Sequence, residues 1–244
     1  MMIPKIFHYV WLGSQPMHPL MEEWQRKMQD LHPCWSIKTW REVDGLPEHL
    51  LTCGDEIVEC RVPEYLRSCP TYAKKSDVWR YEILEQQGGV YLDTDMEPVR
   101  CLESLLESGV EAFAGLCDTI YNYVENSPNP IETGTIKTEV GCSIMGCSPH
   151  HPWAKELVKR TPNQCPVSKL SLAFPFLTAV TGKHPDVKLF PTEVFYPFPW
   201  HHYALRGVRS LKREPIPAGT YSVHRWSSCW FPAGLMPRST TKEV

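Results

Sequence analysis

No stretch of this 244-residue chain approaches the ~20 consecutive apolar residues that span a bilayer, and no repeat or low-complexity tract is present. The first apolar run begins at Ile3, which leaves no room for a leader peptide and points to a cytoplasmic protein. An excess of basic charge is missing too. Lys and Arg total 25 against 28 Asp and Glu, a net charge of −3, so nucleic acid is not an expected partner. There are ten cysteines, but their spacing is irregular and no Cys-x-x-Cys pair occurs, which argues against a zinc ribbon and gives no clear disulfide framework. Mostly reduced thiols are expected. The 23 prolines stand beside plentiful aromatics, so they read as short irregular connections rather than disorder. The length suits one buried core, a single domain over residues 1–244 with a small C-terminal closing segment.

What the chain does have is concentrated in residues 76–97, Ser-Asp-Val-Trp-Arg-Tyr-Glu-Ile-Leu-Glu-Gln-Gln-Gly-Gly-Val-Tyr-Leu-Asp-Thr-Asp-Met-Glu. Apolar spacing predicts a helix over residues 72–87, stopped by Gly88 as a left-handed cap. At about 100° per residue, Ala73, Tyr81, Ile83 and Leu84 share one side, and Lys74, Lys75, Glu82, Glu85 and Gln86 the other. Asp77 and Arg80 land in the middle of the apolar side. A charge aimed at a core is costly unless paired, so these two are either a self-satisfied i,i+3 ion pair or part of a site. Residues 90–95 alternate as a strand that would place Asp93 and Asp95 on one face, with Cα atoms about 6.6 Å apart. Two carboxylates at a strand end suit a hard divalent cation, Mn²⁺ or Mg²⁺.

The remaining segments read in chain order. Residues 3–13 form an apolar run of the kind that makes a parallel strand buried on both faces, ended by Gly13. Taken alone, Trp11 and His8 within it are core residues, although Gly13 would let a ligand approach the backbone. Residues 19–31 predict a helix with a packing stripe of Leu20, Trp24, Met28 and Leu31, and residues 35–40 a second strand. Residues 101–108 read as a short helix and 111–116 as a strand. Residues 126–135 are rich in turn formers, either a surface excursion or part of an acceptor lid. His150 and His151, flanked by prolines, read as a turn at a helix start rather than as metal ligands. Residues 221–224 alternate as a strand that delivers His224 to one edge.

Taken together, Ser76-Asp77, Arg80, Gly88-Gly89 and Tyr91-Leu92-Asp93-Thr94-Asp95 resemble the Asp-x-Asp sugar-binding region of glycosyltransferase family 32. That group resembles the initiating mannosyltransferases of fungal glycan synthesis, bacterial capsular-polysaccharide transferases and, more remotely, the clostridial glucosylating toxins. Residues 3–13 are similar to its opening motif, Ile-Pro-Lys-Ile-x-His-x-x-Trp-x-Gly, and the segment from His224 to Trp230 to its closing motif, His-x-x-x-x-Ser-Trp. Cys229 stands where that motif has serine, and Gly141 or Cys142 falls where the family often has asparagine. Residues 191–197 are family-like and structural.

The resemblance implies an α/β fold of the GT-A type, a Rossmann-like nucleotide-sugar-binding sandwich with a donor half over about 1–100 and an acceptor and closing half over about 101–244. It implies a metal-dependent, retaining glycosyltransferase of polysaccharide biosynthesis, moving a hexose from a nucleoside diphosphate sugar to a saccharide hydroxyl. In that reading Asp95, Asp93 and His224 meet the metal, Arg80 the diphosphate or sugar oxygens, and Asp77 the sugar hydroxyls. Trp11 stacks on the nucleobase and Trp230 lies on the donor. A retaining glycosidase uses a carboxylate nucleophile, and none is assignable, so a front-face route is expected. Two alternatives stay open: a metal-dependent nucleotide- or carbohydrate-binding module without transfer, and a metal phosphohydrolase.

Overall fold

The computed structural model describes residues 2–106, 109–121, 134–165, 173–198 and 215–226. Its centre is the apolar run near the start of the chain. Strand β1 (Ile6–Trp11) is buried on both faces, as an unbroken apolar sequence requires. Helix α1 (Pro19–Leu31) opens on a proline, with His18 Nδ1 accepting the Leu20 N–H at 3.2 Å. It buries Met21, Trp24 and Met28, whereas Leu20 and Leu31 of the expected stripe are only half-buried. Strand β2 (Ser36–Arg41) runs parallel to β1, from Ile6↔Ser36 to Trp11↔Arg41. Beyond it lies a hairpin of β3 (Leu50–Cys53) and β4 (Glu56–Glu59), turning at Gly54 with φ 60°. Helix α2 (Pro63–Ser68) then leads into α3 (Tyr72–Gln87).

Helix α3 occupies the span its sequence predicts, and Thr71 Oγ1 caps it by accepting the Lys74 N–H at 3.3 Å. Two expectations about it are corrected. Gly88, at φ 65° and ψ −149°, adopts a conformation that is essentially glycine's alone rather than the left-handed helical one. A Cβ there would lie 2.6 Å from Pro149 Cδ. The helix also lacks the solvated charged side: Lys74, Glu82 and Glu85 are buried. Arg61 makes this tolerable by donating from Nε to Glu82 Oε2 at 2.9 Å and placing Nη2 2.6 Å from Glu85 Oε2.

The chain continues through β5 (Gly89–Leu92), β6 (Met96–Pro98), β7 (Ala112–Tyr121) and β8 (Thr135–Cys147). Helices α4 (Pro152–Arg160) and α5 (Phe174–Thr181), strand β9 (Lys188–Phe190), helix α6 (Thr192–Phe195) and strand β10 (Ser222–His224) complete the described elements. A 3-10 turn, Glu103–Leu105, stands where a helix over 101–108 was expected. His150, with φ 57°, and His151, which caps α4, form the expected turn. The turn-former stretch lies outside the described residues except for 134 and 135, and Thr135 already belongs to β8.

Eight strands form one mixed sheet in the order β4-β3-β2-β1-β5-β8-β7-β9. Strands β2, β1 and β5 are mutually parallel, β7 is parallel to β9, and the other neighbours are antiparallel. One core, with Trp40, Trp79, Tyr81, Met145 and Trp153, lies on the face covered by α3, α4 and α5. The other, with Phe7, Met28, Phe113, Phe195 and Tyr196, lies beneath α1 and α6. This is the expected α/β sandwich. The nine cysteines among the described residues are all free. His8 is a core histidine as expected: it accepts the Trp40 indole N–H at 3.0 Å, and burial pushes its pKa down to about 3.

Candidate active site

The parallel strands β1 and β5 end on the same side of the sheet, where open α/β folds collect their ligands. Strand β5 stops at Leu92, so Asp93, Thr94 and Asp95 form a turn rather than the strand end that alternation suggested. The Met96 N–H closes this turn on the Asp93 carbonyl at 3.1 Å. The two carboxylates converge nonetheless, because β6 then pairs with β10 in the register Met96↔His224. His224 Nε2 lies 3.1 Å from Asp95 Oδ1 and 4.0 Å from Asp93 Oδ2. One ligand atom from each of Asp93, Asp95 and His224 falls within 4.8 Å of the others.

The two oxygens of Asp93 have different surroundings. Oδ1 accepts the Tyr91 hydroxyl at 2.8 Å and lies 3.3 Å from Arg80 Nη2, while Oδ2 faces His224. Arg80 is 3% exposed. Its Nη2 also lies 2.7 Å from Asp77 Oδ1, its Nη1 donates to the Cys142 carbonyl, and its guanidinium lies 4.8 Å from the centre of the Tyr91 ring. Lys74 Nζ stands 3.6 Å from Asp77 Oδ2. The helical pair is therefore not self-contained but is tied to the turn. Burial pushes the Asp77 carboxyl up, with Arg80 and Lys74 working against it. Burial opposes the Arg80 charge as well, yet the neighbouring Asp93 and Asp77 more than restore it.

A part of the site that gave no sequence signal is a bulge in β8. On the β7 side the pairing jumps from Ala114↔Met145 to Gly115↔Gly141, so residues 142–144 bow out beside the end of β5. The bow serves three partners. The Ser143 carbonyl accepts the Asp93 N–H at 2.8 Å, the Cys142 carbonyl takes Arg80, and Ser143 Oγ lies 3.3 Å from His224 Nε2. Tyr196 fills the gap, its hydroxyl accepting the Ser143 N–H at 3.0 Å and the Ile144 N–H at 3.3 Å. Glycine is required opposite it: a Cβ on Gly141 would lie 2.6 Å from Tyr196 Cζ. The Cys142 thiol, pushed up to about 12 by burial, is neutral.

Trp11 closes β1 at the same end of the sheet. It is 8% exposed, clustered with Met17, Met21 and Trp24, and its indole N–H donates to the Gln15 carbonyl at 2.7 Å. Cys229 and Trp230 lie outside the described residues.

The donor set fits a hard divalent cation: two carboxylates and one imidazole, drawn to one point by separate elements. Among the described residues, no helix is long and apolar enough to cross a membrane. Residues 20–111 match the family described as a glycosyltransferase sugar-binding region containing a DXD motif. Inositol phosphoceramide mannosyltransferase 3 of Schizosaccharomyces pombe is 26% identical over 82% of this chain and 49% of its own length. Mannosyl phosphorylinositol ceramide synthase CSH1 of Saccharomyces cerevisiae is 27% identical over 65% of this chain and 35% of its own. The chain thus spans half or less of the length of these two relatives. Among solved structures, the PaToxG glycosyltransferase aligns over 75% of this chain and 70% of its own at 14% identity and a TM-score of 0.49. A glycosyltransferase involved in glycosylation of the major capsid of PBCV-1 aligns over 92% of this chain and 95% of its own, at 9% identity and 0.41. In its sugar-binding region, and over much of its length in these relatives, the chain is similar to DXD-containing glycosyltransferases.

Proposed function

We propose that the chain is a metal-dependent, retaining glycosyltransferase of the GT-A type. It moves a hexose from a nucleoside diphosphate sugar to a hydroxyl of a saccharide acceptor. The names of its relatives favour mannose as that hexose. The observation that carries the reading is the convergence of Asp93, Asp95 and His224 at the carboxyl end of β5.

In this reading Asp95, Asp93 through Oδ2, and His224 hold Mn²⁺ or Mg²⁺. When bound, the cation neutralises the negative charge that develops on the departing diphosphate. Arg80 and Tyr91 hold Asp93 by its other oxygen, so Oδ2 meets the cation without reorganising. Ser143 Oγ, 3.4 Å from His224 Nδ1, would orient the ring by the nitrogen turned from the carboxylates, and the Ser143 carbonyl fixes the backbone at Asp93. Asp77, the buried carboxylate next along, takes donor-sugar hydroxyls. No carboxylate in the described site stands apart from these duties to act as nucleophile. The acceptor proton therefore passes to the leaving phosphate oxygen on the face where the hydroxyl attacks.

Purified chain, nucleotide sugars and a saccharide panel test this by product analysis. The expected result is a glycosylated saccharide that requires Mn²⁺ or Mg²⁺ and disappears in Asp95→Asn, with an unchanged melting transition. Donor hydrolysis without any transfer, or full turnover in excess chelator, would contradict the proposal.

A further inference from the structure

Strand β8 carries a buried acid that the metal cluster does not use. Its Ile144 pairs with Leu92 at the end of β5, so the residues before Ile144 run on past the carboxyl end of that strand. Strand β9 pairs with β7 only as far as Gly115↔Phe190. Among the described residues, β7 and β8 therefore continue as a two-stranded ribbon from Leu116↔Val140 to Tyr121↔Thr135. Glu139 lies opposite Cys117 and two residues before Gly141, so these three share one face. Tyr196 packs on that face at Gly141, with its ring 5.9 Å from the ring of His224. Thr119 and Tyr121 alternate onto the same face.

Glu139 is 8% exposed, yet no cation among the described residues forms an ion pair with it. Lys137, two residues away, holds its ammonium 5.2 Å from the centre of the Tyr121 ring. A buried carboxylate is costly unless hydrogen bonds satisfy it. The protein satisfies one oxygen: Oε2 accepts the Thr119 hydroxyl at 2.6 Å and the Tyr121 hydroxyl. The other, Oε1, has no hydrogen-bond partner among the described residues. Burial and the bond to Glu139 push the Tyr121 phenol up to about 12, so at neutral pH it keeps the proton it donates. Both hydroxyls have thus committed their protons, and only lone pairs remain for a further partner. No set of three metal-ligating groups includes Glu139 among the described residues, and a phosphate would bring like charge. The hydroxyls of a neutral polyol fit, because each can donate.

We propose that Glu139, Thr119 and Tyr121 form an acceptor subsite, which binds ring hydroxyls of a neutral saccharide while another of its hydroxyls lies at the cation. The proposal rests on the transferase reading above. Four residues of strand, about 13 Å at most, separate Glu139 from Ser143, whose hydroxyl touches His224. A short saccharide spans that separation. Glu139 Oε1 takes one hydroxyl in a charge-assisted bond, and the oxygens of Thr119 and Tyr121 take its neighbours.

Initial rates of transfer in Mn²⁺ test the assignment. The acceptors are the methyl glycosides of mannose, glucose and galactose, their 6-phosphates, and the monodeoxy analogues of the best of the three. Glu139→Gln keeps an oxygen for Thr119 and Tyr121 but turns an amide donor toward the ligand. It should raise the acceptor KM about tenfold, the worth of one hydrogen bond to a charged group, and leave the KM of the nucleotide sugar unchanged. One deoxy position should raise the wild-type acceptor KM by a similar factor and have no further effect in Glu139→Gln. Thr119→Val should raise the acceptor KM by a smaller factor, and it carries the test if melting curves show Glu139→Gln to be unfolded. An unchanged acceptor KM in the folded variants, deoxy losses that add to Glu139→Gln at every position, or transfer only to the 6-phosphates would overturn the subsite while leaving the donor site standing. Absence of transfer to any saccharide would overturn the transferase reading and the subsite with it.

Discussion

Arg80 decides whether the carboxylates of the site are usable. It is a buried cation with partners on three elements: Asp77 on its own helix, Asp93 on the turn after β5, and the Cys142 carbonyl on β8. A lysine would keep the charge but not the planar fork that reaches these acceptors together. Arg80→Lys is expected to lower unfolding stability by about 1–3 kcal/mol, the cost of one buried polar group left unmet. It should also weaken Mn²⁺-dependent nucleotide binding about tenfold, because Asp93 loses its fixed orientation. Urea denaturation and nucleotide titration measure the two effects. Unchanged nucleotide affinity would confine the role of Arg80 to holding α3. The sequence made this pair conspicuous, since two charges fell amid an apolar stripe. It did not reveal the partners, because Cys142 and Tyr91 reach Arg80 through tertiary packing and leave no periodic trace. Trp11 shows the reverse limit: an aromatic at a strand end reads the same in sequence whether it serves a ligand or packs with Met17, Met21 and Trp24.

At the scale of elements, α3 and the β8 bulge show what local sequence can and cannot specify. The span of α3 was legible from Tyr72 to Gln87 because apolar spacing marks it and a double glycine ends it. Its surroundings were not, because burial of Lys74, Glu82 and Glu85 depends on Arg61 and on helices distant in sequence. The Asp-x-Asp segment was legible as a pair of carboxylates but misread as a strand, since alternation cannot see the N–H of Met96 closing a turn. The bulge left no mark beyond glycines at 115 and 141, and these make sense only with the Tyr196 ring between them. Tyr196→Phe keeps that ring and removes the hydroxyl that accepts two bulge N–H groups. It is expected to cost about 1–3 kcal/mol in stability and to raise the Mn²⁺ concentration needed for nucleotide binding. Thr181→Val, which removes a buried hydrogen bond from Trp153 far from the turn, should cost stability without changing the Mn²⁺ requirement. Equal shifts of that requirement in both variants would reduce Tyr196 to general packing.

Across the whole molecule, the site is a meeting of segments far apart in the chain. Asp93 and Asp95 come from the turn after β5, His224 from β10, and Ser143 from β8 between them. The β5–β8 pairing joins the first hundred residues to the second half in one sheet. The order of elements and the α/β class followed from the buried run at β1 and the helix–glycine–strand sequence around β5. The antiparallel partners on both sides of the parallel strands did not, because pairing direction depends on connections that periodicity does not encode. The central claim is that these assembled residues hold a cation on which the donor's diphosphate binds. Its most direct measurement is a calorimetric titration of GDP into the wild type, Asp95→Asn and His224→Ala, each in Mn²⁺ and in excess chelator. The account predicts binding by the wild type in Mn²⁺, loss of that binding in chelator, no recovery by Mn²⁺ in Asp95→Asn, and substantially weakened binding in His224→Ala. Binding by the wild type with the same affinity in chelator as in Mn²⁺ would contradict it.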